Sequence, residues 1–456
     1  MAQGSSLSRD FAMAHSIASA VDDLGGRTFF VGGCVRDRLM GWAPKDLDIE
    51  VHGVSPSQLK QLLWGFGHCS ERGAGFGILA LDGYGLDIAQ PRRESATGLR
   101  HQDLDVVVDP FIGTRAAALR RDFTINALME DVLTGEIVDH FGGREDLSRG
   151  MLRHVDSVTF AEDPLRVLRG AQFAARFGFE IAPLTRDLCR GVDLSFLSPE
   201  RVLGELEKAL LSAGHPSVFF EELASMDQLG VWFPELAALR GVPQPPEHHP
   251  EGDVWAHTML VLDQAACLRD GASWPLAFMM SALAHDFGKA STTTERDGHL
   301  HAYGHEEAGV PVAHRFVRRL TRERKLAAYV ENMVLLHMRP NALVARNSRA
   351  RSFSHLFDES VAPSDLLLLA KADHLGRTGA AAGGYDEIER SLADRLVAFE
   401  QLMALPYVAG SDLIAAGLVP GPSFSQVLDY AHKLRLAGIP KDEALRQTLG
   451  FARSLK

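Results

Sequence analysis

Cysteine is scarce in this 456-residue chain, with four in all: Cys34, Cys69, Cys189 and Cys267. They lie far apart and match no metal-binding or disulfide spacing, which excludes a zinc ribbon or a disulfide scaffold and makes a reducing cytoplasm the plain expectation. Long apolar runs are missing too. The greasiest stretch, PLAFMMSALA (275–284), is about half the ~20 residues that a bilayer-spanning helix needs, so no membrane partner is expected. The start, MAQGSSLSRDFAMAH, has no basic stretch followed by an apolar core, and no secretory leader is read there. Positive charge is also in short supply. The net charge of −12 argues against non-specific coating of nucleic acid, but the relevant quantity is local. Arg92–Arg93, Arg120–Arg121 and HRFVRRLTRERK (314–325) are basic islands in an acidic chain, and the last reads equally well as a solvated helix face. What is present is an ordinary hydrophobic share, 46%, which excludes bulk disorder, and a length that suggests about three domains.

The first 150 residues mix two periodicities. RTFFV (27–31), LDIEV (47–51), GILALDG (77–83), LDIA (86–89) and GEIVDH (135–140) read as strands bounded by Gly, Pro and Asp. VRDRLM (35–40) and SPSQLKQLLWGF (55–66) read as helices, the second opening on Ser then Pro. From about 155 the strand signals vanish and helical periodicity takes over. A Pro/Gly/His-rich break, GVPQPPEHHPEGD (241–253), is placed as a domain boundary. The expected fold class is α+β: a small head with a mixed sheet and helices over 1–150, an all-α neck and body over 151–245, a helical domain over 250–380, and a helical tail over 381–456.

The most informative segment is VGGCVRDRLMGWAPKDLDIEV (31–51). Gly32 and Gly33 stand where a strand turns into a helix, and glycines there let backbone N–H groups approach a phosphate closely. Asp46 and Asp48 are spaced i,i+2, which in a strand puts both carboxylates on one face within about 7 Å. They repel unless a divalent cation relieves them, and Mg²⁺ is commonly held by one or two carboxylates plus substrate phosphates. A solvent-facing Asp pair in a loop is the plainer alternative.

GGCVRDRLMG followed by DLD after four residues resembles the signature of the polymerase-beta-like nucleotidyltransferases, and specifically the bacterial tRNA nucleotidyltransferase / poly(A) polymerase family, which extends RNA 3′ ends without a template. RRDFTINAL (120–128) is similar to that family's second motif, which implies contacts from Arg121 and Asp122 to the ribose and phosphates of the incoming nucleotide; Asn126 is one helical turn on. VDHFGGREDL (138–147) resembles the third motif, although its Gly142–Gly143 pair is equally a plain turn. The resemblance implies a third catalytic carboxylate at Asp87 and nucleotide contacts at Gly32, Gly33 and Arg36.

AEDPLRVLRGAQFAARFGF (161–179) resembles the family's E-D-x-x-R-x-L-R-x-x-R-F motif. Cytosine and adenine each offer an amino donor beside an unprotonated ring nitrogen, whereas guanine and uracil offer the reverse. An ionised Asp only accepts and an Arg only donates, so Asp163 and Arg166, three residues apart on one helix face, would accept C and A and reject G and U. Asp163 precedes Pro164 and is also a candidate N-cap. Arg169, one turn further on, suits a triphosphate. Gln172 departs from the family, which has Arg there, and this puts that contact in doubt. SPERVLGELEKALL (198–211) looks like the last helix of the catalytic half, with Glu200, Arg201 and Glu205 as supports.

The second half carries His257, the dipeptide His285–Asp286 and Asp373 at the ends or on the faces of apolar helices, in an order that resembles the HD phosphohydrolases. Imidazoles with carboxylates suit a transition metal that activates water on a phosphoester. His305 and His337 are further candidates; His248–His249 read as linker. The resemblance implies a divalent metal, Ni²⁺ or Mg²⁺, and 2′,3′-cyclic phosphodiesterase, 2′-nucleotidase and phosphatase activities. Together these segments imply an enzyme that adds CCA to tRNA from CTP and ATP with Mg²⁺, grips the acceptor arm and 3′ end, and repairs RNA ends. An oligomer is compatible with the sequence. Rivals are a poly(A) polymerase, an enzyme adding only CC or only A, and, in another class, a protein-uridylylating signalling enzyme or a non-catalytic RNA-binding protein.

Overall fold

The computed structural model describes residues 2–72, 78–96, 104–378 and 384–455. The chain divides into two compact units, 1–209 with 218–232, and 210–217 with 233–456.

The first unit is built on a seven-stranded sheet. Its strands are β1 (Arg27–Val31), β2 (Leu47–His52), β3 (Cys69–Arg72), β4 (Ile78–Leu81) and β5 (Leu86–Ala89); β6 (Arg92–Ala96) and β7 (Leu104–Val108) form a separate hairpin, and β8 (Met129–Asp131) and β9 (Ile137–Val138) return to the sheet. The order is β3-β4-β5-β2-β1-β8-β9, with β2 and β5 parallel and the other pairs antiparallel. β1 and β2 are the hydrophobic centre because alternate residues serve both faces. Phe30, Leu47, Ile49 and Val51 pack with Ile17, Val21, Leu59 and Leu63, which belong to helices Ala2–Asp22 and Pro56–Trp64. Phe29 and Val31 face the other way, onto Ala118, Ala127 and Met129. Ser55 and Gln58 close a capping box on the helix that starts at Pro56, as its Ser-Pro opening suggests.

Helix Ala2–Asp22 and strands β3, β6, β7 and β8 go beyond the strands and helices expected from sequence; β3 (CSER) and β6 (RRESA) carry little apolar patterning. GEIVDH shrinks to the two residues of β9. Gly77, the first residue of the expected strand GILALDG, lies outside the described residues. The third motif is a fixed turn: Gly142 has φ +75°, and a Cβ on Gly143 would meet the Thr124 carbonyl oxygen at 2.2 Å.

The second unit is helical. Helix Pro275–Ala284 is buried at every residue from Ala277 to Ala284, so its apolar run is core. Among the described residues no helix is long and apolar enough to cross a membrane. The break at 241–253 lies inside this unit, because Asp253 closes it: its carboxylate accepts from Gly241 N at 2.6 Å and caps helix Val254–Leu268 through Ala256 N at 2.8 Å. A hairpin missed in the sequence pairs Thr294–Arg296 with His299–His301. Its Asp297–Gly298 turn has positive φ at both positions, the usual requirement of a two-residue hairpin.

Candidate active sites

In the first unit the sheet presents its acidic residues where β1 gives way to helix Gly33–Leu39. Gly32 has φ +69°, a left-handed backbone that favours glycine, while the nearest atom to a Cβ there, Arg121 Nη1 at 2.9 Å, ends a flexible side chain that can move aside. Gly33 differs. A Cβ there would make only ordinary contact with Arg36 at 3.4 Å, so the surrounding protein leaves room at this glycine.

Asp48 and Asp87 are direct partners in the parallel register of β2 and β5. The i,i+2 expectation needs correction for Asp46: β2 begins at Leu47, so Asp46 sits exposed on the preceding bend and not on the strand face. The charges still interact. Burial raises the Asp48 pKa, Arg121 opposes this, and Asp87 and Asp46 push it up again. Among the described residues, the sets of three ligand atoms all within 4.8 Å of one another lie in the second unit, and Asp46, Asp48 and Asp87 do not form one.

Two cavities meet at these residues. One of 370 Å³ is lined by Asp48, Asp87, Asp163 and Arg166; the other, of 530 Å³, takes in Gly32, Gly33, Arg36, Asp48, Asp163 and Arg166. The larger cavity has eight basic side chains (Arg36, Arg120, Arg121, Arg166, Arg169, Arg176, Arg201 and Lys208) against three carboxylates. In an acidic protein that concentration of positive charge suits a polyanion. Sequence reading singled out neither Arg176 nor Lys208, because cations brought from separate helices leave no common motif.

Most of these groups are already fixed by one another. Arg36, 5% exposed, donates to Asp37 Oδ1 at 2.8 Å and to Asn126 Oδ1 at 2.7 Å, with its guanidinium over the Phe177 ring. Asn126 donates onward to Asp122 Oδ1 at 2.9 Å, and Asp122 accepts from Arg169 Nε at 2.7 Å. Burial alone would raise the Asp122 pKa, but Arg169 and Asn126 outweigh it and hold the carboxyl below its ordinary value. Asp122 and Asn126 therefore spend hydrogen bonds on protein and support the arginines around them. The segment 122–126 is a turn closed by a 3₁₀ helix at Thr124–Asn126, not one α-helical face. Nearby, the buried Glu50 bridges His52 at 2.8 Å and Arg121 at 3.5 Å, a support that no motif flagged.

Helix Leu165–Phe177 carries the proposed base-reading pair. Asp163, just before it, accepts from Leu165 N at 3.2 Å and from Arg201 Nη2 at 3.0 Å on each oxygen. Arg166 donates to the carbonyls of Thr159 and Arg120, both at 2.7 Å. Asp163 thus both accepts from the first residue of that helix and lines the cavity. Each member of the pair is clamped, and a clamped pair can reject a base by leaving charge unsatisfied. Gln172 lines the same cavity at 1% exposure, and its Nε2 makes no hydrogen bond.

The second unit brings together all six of its expected ligands. His257 comes from helix Val254–Leu268, His285 and Asp286 follow helix Pro275–Ala284, His305 opens helix His305–Leu320, His337 ends helix Arg324–Leu336, and Asp373 lies in helix Pro363–Leu375. Five are at most 3% exposed and His305 is 6% exposed. His257, His285 and Asp373 form one ligand set; Asp286, His305 and His337 form another. Each imidazole is held from behind. Nδ1 meets the carbonyls of Ala282, Ala302 and Val334 at 2.7–2.8 Å for His285, His305 and His337, and Glu251 Oε1 at 2.8 Å for His257. A carbonyl can only accept, so those Nδ1 atoms carry the hydrogens and the Nε2 lone pairs point inward. They face oxygens: His305 Nε2 is 3.4 Å and His337 Nε2 3.7 Å from Asp286 Oδ1, with no hydrogen bond on any of these three atoms. Buried acceptors facing acceptors are unfavourable until a cation is placed between them. Burial pushes the Asp286 pKa up, but Lys289, at 2.7 Å, and His285 hold it well below the carboxylate range. His249, read in the sequence as linker, is part of the same network, 2.9 Å from Glu251 Oε1. Glu251 itself was missed, since a lone Glu in a Pro-rich segment carries no spacing signal.

Comparison with known proteins adds to this geometry. Residues 28–153 match the family model described as the poly A polymerase head domain, and 178–239 match the one described as a probable RNA and SrmB-binding site of polymerase A. The chain is 40% identical over 377 residues to the multifunctional CCA protein of Pasteurella multocida, covering 80% of this chain and 87% of that one. It is 36% identical to the protein of the same name from Nitrosococcus oceani, covering 86% and 93%. Among solved structures it is similar in fold to the Thermotoga maritima CCA-adding enzyme complexed with tRNA, with a TM-score of 0.63 at 20% identity, covering 98% of this chain and 95% of that one. The Bacillus stearothermophilus CCA-adding enzyme in complex with CTP gives 0.63 at 22%, covering 98% of each.

Proposed function

This chain belongs to the family of multifunctional CCA proteins, and from that premise we propose that it builds and repairs the 3′-terminal CCA of tRNA from CTP and ATP, with a phosphohydrolase in its second unit. The observation that carries the first activity is the junction of the two cavities: adjacent carboxylates at Asp48 and Asp87, eight basic side chains, and the clamped Asp163–Arg166 pair.

The residues divide the work. Arg36, Arg121 and Arg169, backed by Asp37, Glu50 and Asp122, offer fixed positive charge to the triphosphate, while Gly32 and Gly33 let it approach the backbone. Asp163 accepts the amino group of cytosine or adenine and Arg166 donates to the neighbouring ring nitrogen. Asp48 and Asp46 would hold Mg²⁺, and Asp87 would complete that set of ligands or take the proton of the tRNA 3′-hydroxyl as it attacks the α-phosphate and pyrophosphate leaves. Because the three acids are not drawn into one cage, the ion would arrive with the nucleotide, as Mg²⁺ held partly by phosphates does. When bound, Mg²⁺ stabilises charge on the attacking and leaving oxygens.

The histidine cluster supports the second activity, hydrolysis of 2′,3′-cyclic and 2′-phosphates at RNA ends. His257, His285, Asp373, Asp286, His305 and His337 would hold a divalent metal, Ni²⁺ or Mg²⁺, which supplies an activated water. We assign the head to 1–150, the neck and body to 151–245, the hydrolase domain to 250–380 and the tail to 381–456, with the acceptor arm and 3′ end of tRNA as the partner in the cytoplasm. The test is incubation with tRNA transcripts ending before, within and after CCA. The expected result is completion to CCA and no further. Long A tails on unrelated RNA would replace this reading by a poly(A) polymerase, and addition of only CC or only A would narrow it.

A further inference from the structure

Beside the histidine cluster, and sharing His305 with it, the second unit has a cavity of 390 Å³, within the usual range for small-molecule sites. Two polar atoms in its lining are left over. Gln244, 6% exposed, accepts at Oε1 from Lys289 Nζ at 2.9 Å. Lysine has only donors, so the carbonyl end of the amide must face it, which fixes the rotamer and leaves Nε2 as the end without a partner. Thr293 Oγ1 is buried in the same lining and also makes no hydrogen bond. A buried amide donor left unmade is unfavourable, and an oxygen-rich ligand would remedy it. At the same cavity, Tyr303 is 76% exposed and stacks on His301 with centroids 4.9 Å apart and planes 13° apart. The hairpin Thr294–Arg296/His299–His301 delivers His301, and the chain reaches His305 four residues later. An exposed tyrosine stacked on a half-buried histidine, beside orphaned polar atoms and a candidate metal cluster, is more than a stray surface tyrosine.

We propose that this cavity is the nucleotide subsite of the phosphohydrolase: a nucleobase stacks on the Tyr303–His301 pair while Gln244 Nε2 and Thr293 Oγ1 hydrogen-bond ribose or phosphoryl oxygens, placing the phosphate beside His305. The ligand is a ribonucleotide with phosphate on its ribose, either free or as the terminal residue of an RNA. The proposal rests on the hydrolase reading above and adds to it a recognition element for the base.

The full-length protein, assayed with added divalent metal, is given 2′,3′-cyclic AMP, a short RNA ending in a 2′,3′-cyclic phosphate, and ribose 2′,3′-cyclic phosphate, which has no base. Tyr303→Ala lowers the ratio of kcat/KM for cyclic nucleotide to that for the base-less diester about tenfold, mainly through KM, and Tyr303→Phe restores it. Gln244→Leu raises KM on the ribonucleotide substrates. An unchanged ratio in Tyr303→Ala overturns the proposal; a loss confined to the RNA or to the free nucleotide identifies the source. Should the wild type hydrolyse none of the three, the hydrolase reading fails, and binding of 2′-AMP, measured by calorimetry with CTP saturating the other site, decides the subsite alone. A tenfold weaker Kd in Tyr303→Ala supports it, and equal affinity overturns it.

Discussion

The two candidate sites solve opposite electrostatic problems. In the first unit three arginines of the larger cavity already have protein acceptors: Arg36 has Asp37 and Asn126, Arg169 has Asp122, and Arg166 has two carbonyls. The charge left over is positive and waits for a polyanion. In the second unit the unsatisfied groups are acceptors, imidazole lone pairs set against carboxylate oxygens. One site is built to meet an anion that arrives with Mg²⁺; the other is built to hold a cation directly. This difference predicts that the first loses chemistry when a carboxylate is removed, whereas the second also gains stability from its metal.

Asp48→Ala should cut nucleotide addition by roughly 10³-fold or more, since it removes an acid that lines both cavities and would hold Mg²⁺, while leaving 2′,3′-cyclic phosphodiesterase activity and tRNA binding in place. His285→Ala should do the converse, abolishing the phosphodiesterase and sparing CCA addition. Parallel assays of both variants check this, and joint loss in either would show that the sites are not separable. In the same experiment, removal of divalent metal should lower the unfolding temperature of wild type more than that of His285→Ala, read by calorimetry on both.

Much of both sites was legible in the sequence because their residues sit in short, ordered motifs. Gly32–Gly33, Asp48, Asp163–Arg166 and His285–Asp286 each declare themselves within a few positions, and strand or helix periodicity then gives the face. Asp46 shows the limit: the spacing rule holds only if the strand includes it, and β2 starts one residue late. What sequence could not show was long-range support. Asp122 meets Arg169 across 47 positions, Glu251 reaches His257 from a Pro-rich segment, and cations from separate helices converge on one cavity. Such contacts depend on packing between elements, which local periodicity does not encode.

The Asp122–Arg169 pair ties the basic cavity of the first unit together. Asp122 is buried with its pKa depressed against a carboxyl's ordinary value of about 3.9. Arg169 stays charged throughout. The sign follows: the stabilisation is fully present above about pH 4 and is lost as pH falls through the depressed value. Asp122→Ala leaves Arg169, 32% exposed, and Asn126 without their partner and should cost about 1.5–3 kcal/mol. Asp122→Asn should flatten the acid limb of stability below about pH 4, read as unfolding temperature against pH. An unchanged acid limb would mean that the Asp122–Arg169 pair is not what holds this corner.

The smallest effect concerns Gln172, the one departure from the family motif. Its amide nitrogen is buried without a partner in the basic cavity, between positions that the family fills with charge. Gln172→Arg adds a ninth cation to a lining that already holds eight. Without nucleotide that cation joins eight others against three carboxylates, and a destabilisation of about 1 kcal/mol would lower the unfolding temperature by about 2–4 °C. With CTP bound, the triphosphate compensates, so saturating CTP and Mg²⁺ should raise the variant's unfolding temperature by more than the wild type's. Equal shifts in the two proteins would place the triphosphate elsewhere, and the contrast between a site awaiting an anion and one awaiting a cation would lose its first half.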